Sequence, residues 1–164
     1  MSQAPTITVT ADRTRALRKG WANLKRLHVV VGIPQQAGSR DGGDENNAVI
    51  GYKQEYGEPA RGVPPRPFLN PSLDKKKGQI ADFLKDRAVG VSTGKETAEQ
   101  CYTAVGLLAQ SIVKEYIRES SNFKPLSART LAARKARGVS RAKPLIDTGQ
   151  LLNSISFDVR ATDG

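Results

Sequence analysis

Histidine and cysteine are almost absent from this chain. There is one of each, His28 and Cys101, among 164 residues. A single cysteine excludes an internal disulfide, and the two residues together cannot build a zinc site of the Cys/His type. Aromatic residues are few, at 5%, so the core must rest on Leu, Ile, Val and Ala. No apolar run approaches the roughly 18 residues that a membrane span needs. The opening Met1-Ser-Gln-Ala-Pro5 is not apolar either, so neither a secretory signal nor a membrane partner is expected. The expected setting is a reducing cytoplasm, or a particle assembled there.

The chemistry of catalysis is equally sparse. A Cys101/His28 nucleophile pair would need an orienting third group, and Cys101 falls on or beside an apolar helical stripe, where a thiol is buried and inert. His28, at a helix-to-strand junction, reads as structural. Asp41, Asp44 and Glu45 do not follow calcium-loop spacing, and Gly90-Val-Ser-Thr-Gly-Lys95 lacks the spacing of a phosphate loop. The chain reads as a non-enzyme with no cofactor and no metal.

Charge is what the chain has in excess. The formal net charge is +10. Arg13 to Arg26 carries six basic residues and no acid, and Lys124 to Lys143 carries seven and no acid. Those 13 exceed the net +10, so the rest of the chain sums to −3. Two basic segments on a near-neutral body point to an anionic partner. Arg13, Arg15, Arg18, Lys19, Arg134, Lys135, Arg137, Arg141 and Lys143 are the candidates for a DNA channel or another anionic surface. Neither window has the interleaved aromatics of a single-strand binder, and a solvated face or an acidic protein neighbour fits the same charges.

The length suits one domain, 1–164. Thr6–Thr10 alternates Ile7 and Val9 as an edge strand. Residues 11–27 read as a helix with Leu17, Trp21, Leu24 and His28 on its apolar face, weakened by Gly20. His28–Ile33 is β-branched and predicts a strand. Residues 35–46 form a polar loop with three glycines, either a projecting finger that orders against a partner or a floppy tip. Asn47–Tyr56 predicts a helix, capped by Asn46 or Asn47 and stopped by Gly57, with Tyr52 and Tyr56 on one face.

Residues 58–69 hold four prolines (Pro59, Pro64, Pro65, Pro67) and predict a stiff, extended segment whose Phe68-Leu69 end docks onto a surface, either its own core or a neighbour. Asn70-Pro71 reads as a helix start running to about Ala88, followed by a break at Val89–Gly94. Thr93–Glu96 reads as a capping box for a helix reaching about Ser120. That helix carries Ala98, Tyr102, Val105, Leu108, Ala109, Ile112 and Tyr116 in one stripe and serves as the spine, close to 40 Å long. Ser127 caps a basic helix, Ala128–Ala136. Asp147 caps a short turn with Gln150 reaching back, and the turn feeds a strand at Ile155–Val159. The fold class is α+β: a small antiparallel sheet against one long helix and several shorter ones, with a projecting loop or arm.

Four separated stretches resemble one family. Val30-Val-Gly-Ile-Pro34 is similar to its early strand. Asn47-Ala-Val-Ile-Gly-Tyr-Lys-Gln-Glu-Tyr-Gly57 with Val63-Pro-Pro-Arg-Pro-Phe-Leu69 is similar to its central signature. Pro125–Lys135 and Lys143-Pro-Leu-Ile-Asp-Thr-Gly-Gln-Leu-Leu-Asn-Ser-Ile155 are similar to its C-terminal signature, in the same order. The family is the neck and tail-completion proteins of long-tailed bacteriophages and prophages, also labelled virion morphogenesis proteins. Tyr56 stands where phenylalanine is more usual, and the N-terminal basic helix lies outside the signature.

The resemblance implies a structural virion protein, assembled in the host cytoplasm. It implies a homo-oligomeric ring, commonly sixfold, at the head–tail junction or head-proximal end of the tail, around the DNA channel. Its neighbours would be connector, tail-terminator or tail-tube proteins, with nonspecific contact to genomic DNA. Tyr52, Tyr56, Arg61, Pro65, Arg66, Phe68 and Leu69 are the subunit-interface candidates, Arg66 and Phe68 foremost. The alternative of a different class is an autonomous, sequence-nonspecific nucleic-acid-binding protein, which would not require the loop or the proline segment.

Overall fold

The longest apolar stripe in the sequence does become the spine. In the computed structural model, which describes residues 14–35 and 46–162, helix α4 spans Ala98–Arg118. Its 21 residues measure about 31 Å, short of the expected 40 Å. The capping box sits four residues beyond the expected one. The Thr97 hydroxyl accepts from the Gln100 N–H at 3.1 Å, and the Gln100 side chain accepts from the Thr97 N–H at 2.9 Å. Glu96 is drawn away into an ion pair with Arg87.

The buried surface of α4 is wider than the predicted stripe. Ala98, Val105, Ala109 and Ile112 are buried as expected, but so are Cys101, Gly106, Val113 and Ile117. The reason is that α4 is covered on two sides. Helix α3, Leu69–Ser92, packs antiparallel to it on one side, and the sheet packs on the other. The sheet has two strands, β1 (Leu27–Gly32) and β2 (Ser156–Ala161), antiparallel with Val29 opposite Val159 and Val31 opposite Phe157. Phe157 lies directly over Gly106, where an added Cβ would fall 2.2 Å from its ring. His28 is exposed on β1, opposite Arg160.

Two cores share the spine. Near the start of α4, Leu24, Ala88, Val91, Ala98 and Cys101 cluster. Near its end, Phe68, Val113, Ile117, Phe123, Leu145, Leu151 and Ile155 cluster. Val91 explains why α3 runs through the expected break: burying it to 5% exposure outweighs weak local propensity.

Helix α1 spans Thr14–Lys25 and joins the first core through Leu24 alone among its expected apolar face. Leu17 and Trp21 stay exposed, at 38% and 52%. For Trp21, Gly20 is the reason. It is buried against the α3 backbone, where a Cβ would meet the Val91 carbonyl oxygen at 2.9 Å. At about 100° per residue Gly20 and Leu24 lie about 40° apart and Trp21 about 60° beyond Leu24, so a close approach at Gly20 and Leu24 leaves Trp21 on the flank. Gly20, which costs helix propensity, thus permits the packing.

Five elements complete the fold among the described residues. They are α2 (Asn47–Tyr56), α5 (Ala128–Ala136), α6 (Gln150–Ser154) and 3-10 turns at Pro59–Arg61 and Ser120–Asn122. Asn46 caps α2 through Ala48 N–H at 2.9 Å, and Ser127 caps α5 through Thr130 N–H at 3.2 Å. The expected strand at Thr6–Thr10 and almost all of the expected loop at 35–46 lie outside the described residues.

The first core predicts an alkaline weakness. Burial raises the Cys101 thiol above its ordinary 9.0 and the Tyr102 hydroxyl above its ordinary 10.0. Between the unfolded and folded values the unfolded chain has already lost protons that the native state keeps, so stability falls as pH rises. Urea unfolding at pH 8, 9 and 10 should show a falling stability. Cys101→Ala should make that fall shallower, whatever it does to the absolute value.

Candidate assembly surface and basic faces

The resemblance-bearing segment is organised around one carboxylate. Glu55, near the end of α2, is 7% exposed. Its oxygens accept from the backbone N–H groups of Phe68 at 2.7 Å, Leu69 at 2.9 Å and Asn70 at 3.0 Å. These are the amides at the start of α3, which have no partner within the helix. The negative carboxylate also sits at the positive end of the helix. Asn70 is therefore not the cap that sequence spacing suggests. Pro71 follows without an N–H to satisfy.

Between Glu55 and α3 the chain is bent, not extended throughout. Gly57 stops α2 at φ +82°. A side chain there would be strained and would press on Pro65 and the Val63 carbonyl at 3.0 Å. Glu58 and Val63 exchange backbone hydrogen bonds at 2.9 and 3.1 Å across the 3-10 turn. Arg66 N–H then donates to Gln54 O at 2.6 Å. The prolines hold a folded-back loop against α2.

This placement sorts the interface candidates. Phe68 is 3% exposed and belongs to the second core, so its side chain docks inside its own subunit; the expected role at a neighbour's surface is corrected. Leu69 is half-buried against the same core. Arg61 and Pro65 are exposed. Tyr52 and Tyr56 are exposed at 67% and 59%, with ring centroids 4.8 Å apart. Beneath them lies a cavity of about 270 Å³ lined by Ile33, Gly51, Phe68 and Leu69. Val49, also on α2, is 45% exposed.

Arg66 is half-buried, and its Nε is buried without a hydrogen-bond acceptor. It lines a second cavity, about 260 Å³, together with Ile50, Val63, Arg134, Asp147 and Leu151. Every one of the three later resembling regions, 47–69, 125–135 and 143–155, contributes to that cavity's walls.

The basic candidates divide. Arg15, Arg18 and Lys19 are exposed on α1, and Arg13 lies outside the described residues. Arg134 is 6% exposed. Its Nη1 donates to the carbonyls of Arg141 (3.0 Å), Lys143 (2.9 Å) and Ile146 (3.0 Å), and its Nε lies 3.7 Å from Asp147. Arg134 is thus a strut for the loop that follows α5, and its expected place on an anionic partner's surface is corrected. Asp147 is not the expected cap. It pairs with Arg134 and with Arg137 at 3.1 Å, while Gly149, at φ +91°, occupies the cap position of α6. Lys135, Arg137, Arg141 and Lys143 are exposed, although Arg141 reaches the Asp147 carbonyl and Lys143 the Arg118 carbonyl, both at 3.4 Å.

Among the described residues, the two basic windows do not meet within one chain. The Tyr102 hydroxyl ties α1 to the start of α4 by donating to Leu24 O at 2.9 Å. Lys143 reaches Arg118 at the far end of α4. Those anchor points are separated by about 24 Å along the helix. Comparison with family models, curated proteins and solved structures returns no match for this chain.

Sequence reasoning missed Glu55 and the strut role of Arg134. Both act across long sequence separations, and a cap supplied from another helix has no local signature. Glu55→Ala should lower unfolding free energy by about 3 kcal/mol, because three amides lose a charged acceptor, and amide exchange should accelerate first at Phe68–Asn70. Phe68→Ala should cost about 3–5 kcal/mol, read by urea denaturation of dilute protein. Arg134→Met should cost about 3–5 kcal/mol by leaving three carbonyls without their donor and Asp147 with Arg137 as its remaining ion-pair partner. Arg18→Gln should change stability by less than about 0.5 kcal/mol.

Proposed function

We propose that this chain is a structural subunit of a long-tailed bacteriophage virion. It forms a ring, hexameric as the resemblance implies, at the head–tail junction or the head-proximal end of the tail, around the DNA channel. Its partners are further copies of itself and the connector, tail-terminator or tail-tube proteins above and below.

The observation that carries this reading is the convergence of the separated resembling regions. Helix α2, the proline loop, α5 and the α6 turn come from residues spread over more than 100 positions, yet they wall one cavity beside Arg66. Pieces that resemble a family in order, and that also build one unit in space, support a shared architecture. The unit presents the exposed Tyr52/Tyr56 pair on a frame fixed by Glu55. An exposed aromatic pair on a rigid frame suits association, since aromatics dominate interface energetics. A ring requires a head-to-tail contact with a fixed turn, which a rigid frame supplies.

The exposed cations of α1 suit weak, sequence-independent contact with phosphate, the kind that DNA sliding through a channel tolerates. They are also what favours the second reading, an autonomous nonspecific nucleic-acid binder. Native mass, measured at low and high salt with and without duplex DNA, separates the two. The ring reading expects a closed oligomer without DNA at both salt concentrations. A protein that remains monomeric alone and binds duplex with a steep salt dependence favours the binder. In that case Gln at Arg15, Arg18 and Lys19 together should reduce the log–log salt slope by roughly 2–3.

A further inference from the structure

Two exposed apolar patches sit at opposite ends of the spine. One is the flank of α1, with Leu17 and Trp21 at 38% and 52% exposure. It lies by the start of α4, where α1 is anchored through Leu24. The other is the outer face of α2, with Val49, Tyr52 and Tyr56. It lies by the second core, which α2 joins through Ile50. Neither patch can cover the other within one subunit, because β1 runs the distance between them, from Leu27 in the first core to Val31 in the second.

The patches are complementary in form. Trp21 projects from a helix flank. The tyrosine patch is concave, with the cavity of about 270 Å³ beneath its rings. Small-molecule pockets usually run to about 300–1,000 Å³, so this one suits a single large side chain. They are complementary in charge as well. Trp21 is flanked one turn away by the exposed cations Arg18 and Lys25, and the receiving surface offers two tyrosine ring faces, which attract cations. Aromatic residues with an arginine neighbour, packed into an aromatic-walled pocket, are the usual composition of an interface hot spot.

We propose that Trp21 of one copy seats in the Tyr52/Tyr56 cavity of the next. This inference rests on the ring reading and gives it a specific contact. The two halves of the contact lie on different surfaces of the subunit, so the interface is heterologous and repeats from copy to copy until it closes. It also gives α1, which lies outside the resembling segments, a part in assembly.

The test uses two full-length variants, Trp21→Ala and Tyr52→Ala. Both side chains are more than half exposed, so both variants should fold, and circular dichroism checks that they do. Each alone should weaken self-association roughly tenfold or more in sedimentation. Mixed together, they should form a one-to-one pair and stop there, since one intact Trp21 meets one intact Tyr52 cavity and the other two patches are broken. In the unmodified protein, emission from the single tryptophan should shift to shorter wavelength on assembly.

A ring that forms equally well in both variants, with Trp21 of the unmodified ring still quenchable from water, overturns this contact and leaves the ring reading standing. Variants that each fail and do not rescue one another show that the patches are not partners, and also overturn it. A protein that stays monomeric at every concentration overturns the contact and self-driven ring formation together.

Discussion

Everything around helix α2 depends on a carboxylate facing the start of another helix. Glu55 holds three amides of α3, and in doing so fixes α2 against the longest helix in the fold. Without an acceptor those amides would be partly buried and unpaired, a cost of about 1–3 kcal/mol each. With it, the chain between Gly57 and Phe68 has both ends pinned. The prolines then need only bridge a short gap, and Phe68 drops into the core as the segment closes. The two exposed tyrosines stand on α2 at the same place that the cap secures.

A second device of the same type works at the other side of the cavity. Arg134 gathers three carbonyls and a carboxylate, replacing the hydrogen bonds that an irregular loop cannot make within itself. Both devices bury a charge, and both use that charge to organise backbone far away in sequence. The cavity between them is where the proline loop, α5 and α6 meet. A surface built this way is stiff because its loops are tied by charged hydrogen bonds, which are stronger than neutral ones.

Much of this could be read from residues alone. The α+β class, the spine stripe from Ala98 to Tyr116, the caps at Asn46 and Ser127, and the stop at Gly57 all carry local signals. Boundaries slipped where packing overrode local chemistry: Val91 carried α3 through an expected break, and Glu96 left its expected capping role for Arg87. The site was harder. Charge alone could not tell Arg134, a buried strut, from Lys135, an exposed cation one residue on. Nor could periodicity show that Gly20 would turn Trp21 outward, since that depends on how closely two backbones approach. Phe68 was legible as an anchoring residue, but its partner proved to be its own core.

The measurement that bears most directly on the account is a reconstruction of the purified protein by electron microscopy. A closed annulus is predicted in which each subunit presents its α2 face to a neighbour, with the α1 cations Arg15 and Lys19 toward the lumen. Particles that remain single, or an annulus whose subunit contacts leave the α2 face on the outer rim, would contradict it.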